Sequence, residues 1–95
     1  MYIIHEENHS CLCVTEEISS GVFWLIKNDW LTTNSVGITE DGEEFTLGDT
    51  IPSARENENL IFFYFVNIYR KKGMKGALEW LESFGFSFNE IEVAS

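Results

Sequence analysis

The sequence predicts an α+β domain: an antiparallel β-sheet with two helices packed on one face. Three observations lead there. Short apolar or alternating runs bounded by turn residues fill the first half of the chain, as strands do. Asp41-Gly42 lies between two such runs and marks a hairpin. In the second half Ala77, Trp80, Leu81 and Phe84 follow helical spacing, and Gly73 and Gly85 stand where helices would stop.

Taken in order, Tyr2 to His5 and Cys11 to Thr15 read as strands, with the polar stretch Glu6-Glu7-Asn8-His9 able to turn between them. Gly21 precedes the continuous apolar run Val22-Phe23-Trp24-Leu25-Ile26, which suits a central strand covered on both faces. Asn28-Asp29 offers a turn from it into Trp30-Leu31-Thr32. Folding about Asp41-Gly42 as a two-residue type I′ turn sets Ile38 opposite Phe45 and Val36 opposite Leu47, all on one face. Glu40 and Glu43 would then face each other across the turn, at a cost of a few tenths of a kcal/mol to about 1.

Ser53 and Glu56 form an S-x-x-E capping box after Pro52. The apolar run from Leu60 to Tyr69 follows. Its aromatic content suits a strand, whereas the cap, the basic end Arg70-Lys71-Lys72 and its length suit a helix. The helix is the reading taken, and being apolar almost all round it must be the central, buried one. The amphipathic helix through Ala77 and Phe84 comes next. Phe86 and Phe88 alternate, as do Ile91 and Val93, and a bulge or turn near Asn89-Glu90 would reconcile the two parities.

Bulk properties bound the function. The 95 residues form one domain, 1–95, long enough to bury roughly two-thirds of its unfolded surface in one core. Sixteen acidic against six basic residues leave a net charge of −10. Direct nucleic-acid binding is disfavoured, because phosphate contacts depend on Lys and Arg, and so is binding to anionic membranes. A basic protein partner is attracted and steered. The N-terminal stretch lacks a basic region and a long apolar segment, so no signal peptide is expected. The longest apolar run, Leu60 to Val66, falls far short of the ~20 residues that span a bilayer. Cys11 and Cys13 are too close for a loop-closing bridge, and reduced thiols fit a cytoplasmic location. A free monomer is expected.

No catalytic or cofactor motif stands out. His5, His9, Cys11 and Cys13 are the candidate metal ligands or a Cys–His nucleophile pair. In one extended strand His5 and Cys13 would sit ~26 Å apart, so only a sharp turn at Glu6-Glu7-Asn8 could gather the four, and Cys-x-Cys departs from the usual zinc spacing. The acid pairs Glu6-Glu7, Glu16-Glu17 and Glu43-Glu44 point to opposite faces of a strand and build no two-carboxylate site. The expectation is a protein that is not an enzyme and has no catalytic residue, metal or cofactor. Arg70, Lys71, Lys72 and Lys75 hold four of the six bases and complement a helix C-terminus.

The segment 40–58 is the sharper signal. It holds Glu40, Asp41, Glu43, Glu44, Asp49, Glu56 and Glu58 against Arg55 alone, a net of −6. These seven are the candidate partner-binding residues, since local rules broken without local gain tend to mark function. With the stretch Lys71-Lys72-Gly73-Met74-Lys75-Gly76-Ala77-Leu78-Glu79-Trp80-Leu81-Glu82-Ser83-Phe84-Gly85-Phe86 behind the acidic hairpin, the chain resembles the small immunity proteins bacteria make against nuclease toxins. The resemblance implies a cytoplasmic inhibitor that sets carboxylates where phosphates would lie in a basic cleft. It carries over no site residue. The alternatives are a phage-encoded inhibitor of anti-CRISPR or DNA-mimic type, and a small metal or thiol regulatory domain built on the His/Cys group.

Overall fold

In the computed structural model, which describes residues 1–91, the fold is α+β as the sequence predicts. A three-stranded antiparallel sheet has the order β2-β1-β5, from β1 (Tyr2–Glu6), β2 (His9–Thr15) and β5 (Phe86–Glu90). A separate ribbon pairs β3 (Val36–Ile38) with β4 (Glu44–Thr46). The helices are α1 (Ile18–Lys27), the single turn α2 (Leu47–Thr50) and α3 (Asn59–Glu82).

The pleat decides which sheet face is covered. Ile4 lies between Cys13 and Phe88, and these three point toward the helices. One residue earlier, Ile3 lies between Val14 and Asn89, and Val14 on that opposite face is half exposed. The N- and C-terminal segments meet through β1 and β5, so the sheet closes the chain on itself. The strand β5 runs unbroken through Asn89-Glu90, and the Ile91 N–H donates to the Met1 carbonyl at 2.9 Å. Neither the expected bulge nor a turn interrupts Phe86 to Glu90, where the pairing with β1 is continuous. Val93 lies outside the described residues.

The run Val22 to Ile26 is a correction to the sequence reading: it is helix, not a central strand. Ile18, Gly21, Val22, Leu25 and Ile26 are buried at i, i+3, i+4, i+7 and i+8, while Phe23 is exposed. The stripe starts at Ile18, outside the continuous run, so the run alone hides its helical period. Asn28-Asp29 does end the element, as a helix terminus. Asp29 takes a left-handed φ of 61°, and the Trp30 and Leu31 N–H groups both donate to the Leu25 carbonyl. Trp30 to Thr32 is accordingly not a strand.

The capping box is the second correction. Pro52–Arg55 forms a 3₁₀ turn, whose Ser53 carbonyl accepts from the Glu56 and Asn57 N–H groups. Proline preorganises its own turn here, and α3 starts later, where Asn57 Oδ1 accepts from the Asn59 N–H at 3.1 Å. The helical reading of Leu60 to Tyr69 holds. Ile61, Phe65, Ala77 and Leu81 of α3 are buried, but Phe63 is 58% exposed, so the helix is not enclosed all round. Gly73 divides α3 with φ 73°, ψ −170°, and Gly85 ends the second half with φ 87°. Both stand at the helix ends that the sequence marks.

Candidate partner-binding surface

The acidic hairpin differs from its expected geometry by one residue. Val36 pairs with Thr46, Gly37 with Phe45 and Ile38 with Glu44. The loop has three residues, Glu40-Asp41-Gly42, closed by the Thr39 N–H on the Glu43 carbonyl at 2.9 Å. The Gly42 N–H donates to the Thr39 carbonyl at 2.9 Å, and Gly42 alone in the loop takes positive φ, 84°. That is a turn followed by a left-handed bulge residue, not a type I′ turn, which would need positive φ at Asp41 as well.

A slip of one residue flips side chains across the ribbon. Phe45 now lies over Gly37, where a Cβ would run into its ring, and packs edge-on against Phe84 at 5.4 Å. Leu47 is fully buried. Val36 and Ile38, expected on that same face, are 48% and 56% exposed instead. Glu40 and Glu43 are not cross-strand partners either, so the like-charge strain expected between them does not arise.

All seven acidic residues of segment 40–58 are exposed. Two of them are held within the chain. Asp49 meets Arg55 Nη2 at 3.3 Å, and Glu58 meets Lys27 Nζ at 3.3 Å. Hydrogen bonding from the Thr46 side chain, and then from Arg55, keeps the Asp49 carboxyl below its ordinary range. Arg55 also donates to the Gly48 carbonyl at 2.7 Å, so it acts as a brace for α2. The other five (Glu40, Asp41, Glu43, Glu44 and Glu56) make no ion pair among the described residues.

A groove of about 770 Å³ runs beside the hairpin, inside the elbow that Gly73 makes in α3. Its lining includes the aromatic Phe45, Tyr64 and Trp80 together with the charged Glu40, Glu79 and Lys72. Tyr64 and Trp80 are in tilted contact at 5.7 Å, which holds the two halves of α3 together. Sequence reasoning missed this groove. Its signal was the pair of glycines flanking Met74-Lys75: Gly73 turns the helix, and a Cβ at Gly76 would run into Lys72.

The His/Cys group is spread over the β1–β2 turn. His5 Nδ1 is turned to the Ser10 carbonyl, and His9 Nδ1 lies 2.6 Å from the Glu6 carboxylate with its ring edge-on to Trp30. The His9 hydrogen bond outweighs desolvation and holds Glu6 below the ordinary carboxylate range. Burial, and then the neighbouring Cys11, pushes the Cys13 thiol up, which disfavours the thiolate a nucleophile requires. Among the described residues no three His, Cys, Asp or Glu side chains gather closely enough to hold a metal ion. No helix of those residues is long and apolar enough to cross a membrane.

No family model, curated protein or solved structure matches this chain.

Proposed function

We propose that this protein is an inhibitor of the immunity type, which binds and neutralises a basic nuclease-type toxin domain in the cytoplasm. One observation carries the reading. Five exposed carboxylates of one hairpin and the segment after it make no ion pair among the described residues, whereas Asp49 and Glu58 of the same segment are paired. Such carboxylates can take the place of phosphates in a cationic cleft, and each close pair with Arg or Lys couples by about 1.5–7 kcal/mol. The adjacent groove offers aromatic side chains for an anchor residue, the kind of contact that dominates interface energetics.

Co-expression with the open reading frames that neighbour the gene, followed by pull-down, tests this. The expected capture is a basic protein whose nuclease activity disappears at one equivalent of inhibitor. A captured protein that remains fully active as a nuclease in the complex overturns the reading.

A further inference from the structure

The groove inside the elbow of α3 gathers charge as well as rings. Glu40 lines it from the hairpin loop, and Glu79 and Glu82 line it from the second half of α3, three residues apart and so on one helix face. None of these three carboxylates makes an ion pair among the described residues. Lys71 and Lys72, before the Gly73 break, line the same groove, yet neither pairs with them. The rings are fixed in advance. Trp80 meets Tyr64 at 5.7 Å, Phe65 at 6.4 Å and Phe84 at 5.3 Å, and it remains only partly buried. A partner that used this indole would not have to order it first.

A partly exposed indole in one groove with unpaired carboxylates suits one side chain above others. The guanidinium of arginine is planar, offers five N–H donors, stacks on aromatic faces and is more weakly hydrated than an ammonium. Its attraction to an aromatic ring is strongest at Trp. Charge complementarity points the same way. Glu40, Glu79 and Glu82, with Asp41, Glu43 and Glu44 of the adjoining hairpin, outnumber Lys71 and Lys72 six to two. The two lysines repel a second cation, so the groove takes a single arginine rather than a basic run. We propose that this groove is an arginine socket. One arginine of the basic partner lies against Trp80, its N–H groups donating to the carboxylates of Glu40, Glu79 and Glu82. This partner rests on the inhibitor reading, and Glu79, Trp80 and Glu82 join the surface predicted from segment 40–58.

Titration of the free chain with N-acetyl-arginine amide, followed through its indole N–H signals by NMR, tests the socket without the partner. The Trp80 signal is expected to shift saturably in the millimolar range, while those of Trp24 and Trp30, which do not line the groove, stay in place. N-acetyl-lysine amide should bind at least about threefold more weakly, and the neutral isostere N-acetyl-citrulline amide should leave the signal unmoved. Glu79 and Glu82 are exposed, so E79Q/E82Q is expected to fold like the parent. It should weaken arginine binding at least about fivefold, whereas E16Q/E17Q, which removes equal charge elsewhere, should weaken it less than about twofold. In the complex with the captured nuclease, E79Q/E82Q should lower affinity at least about tenfold. An unmoved Trp80 signal, citrulline acting like arginine, equal loss in the two variants, or a complex indifferent to E79Q/E82Q overturns the proposal. The two readings fail separately. A captured protein that stays active as a nuclease defeats the inhibitor reading while the titration still decides the socket, and full neutralisation with an unmoved Trp80 defeats the socket alone.

Discussion

Thr39 and Glu43 are joined twice across the hairpin loop: the Thr39 N–H donates to the Glu43 carbonyl at 2.9 Å, and the Glu43 N–H donates to Thr39 Oγ1 at 3.1 Å. This double link closes the loop one residue wider than the Asp41-Gly42 dipeptide suggests. It leaves Gly42 as the residue that must reverse the chain. With φ 84° and nothing within 4 Å of where a Cβ would stand, the position is sterically open but conformationally demanding. Gly42→Ala is expected to cost about 1–2 kcal/mol in urea unfolding. Asp41→Asn should change stability by less than about 0.5 kcal/mol, because Asp41 is exposed and its φ is not positive.

The same hairpin carries Glu40, Asp41, Glu43 and Glu44, four of the five carboxylates that make no ion pair among the described residues and are proposed to meet the partner. Replacing Glu40, Glu43 and Glu44 together by Gln should leave stability within about 0.5 kcal/mol, since all three are exposed and unpaired among the described residues. Affinity for the neutralised nuclease should fall at least tenfold, about 1.4 kcal/mol. A second triple variant at Glu16, Glu17 and Glu90 removes equal charge elsewhere and should lower mainly the association rate. Equal loss of affinity in both variants would mean that net charge alone matters.

Glu6 gives a pH signature. Its folded pKa is held down by the His9 hydrogen bond, so its contribution is full above the unfolded carboxyl value and is lost as pH falls through the folded one. The stability difference between the parent and Glu6→Gln should therefore be present above the ordinary carboxyl range and shrink from about pH 4.3 downward. A difference that fails to shrink below that range would contradict the assigned hydrogen bond.

What the sequence revealed, it revealed through local chemistry. Gly73 and Gly85 end helices because each lies where the chain must leave the right-handed region, and both do so at positive φ. The α+β class, the outer strands and the helical nature of Leu60 to Tyr69 were legible in the same way. Two features were not. Val22 to Ile26 reads as a strand until Ile18 is counted in its stripe, and a five-residue apolar run cannot display a 3.6-residue period. Gly42 can end a two-residue or a three-residue loop, and only the Thr39–Glu43 hydrogen bonds and the space above Gly37 for Phe45 choose between them. The candidate site was legible as a run of acids. That Asp49 and Glu58 are paired internally depends on Arg55 and Lys27, the latter 31 residues from Glu58 in sequence.

A close approach of helix to sheet makes the last prediction. A Cβ on Gly21 would lie 2.5 Å from Ile4 Cδ1, 2.7 Å from Phe88 Cε2 and 3.1 Å from Thr15 Oγ1. Ile4 is fully buried, so its terminal methyl has nowhere to retreat. In an open helix Gly→Ala would gain up to about 1 kcal/mol of propensity. Here overpacking of about 1–3 kcal/mol opposes it, and the net expectation for Gly21→Ala is a loss of about 1–2 kcal/mol. Ile4→Val deletes the methyl carbon that stands nearest. Alone it should cost about 0.5–1.5 kcal/mol as a core truncation. Combined with Gly21→Ala it should cost less than the sum, with a favourable coupling of at least about 0.5 kcal/mol in a double-mutant cycle of urea midpoints. Strict additivity would show that α1 does not rest on Ile4, and a stabilising Gly21→Ala would place the helix further from the sheet than this contact requires.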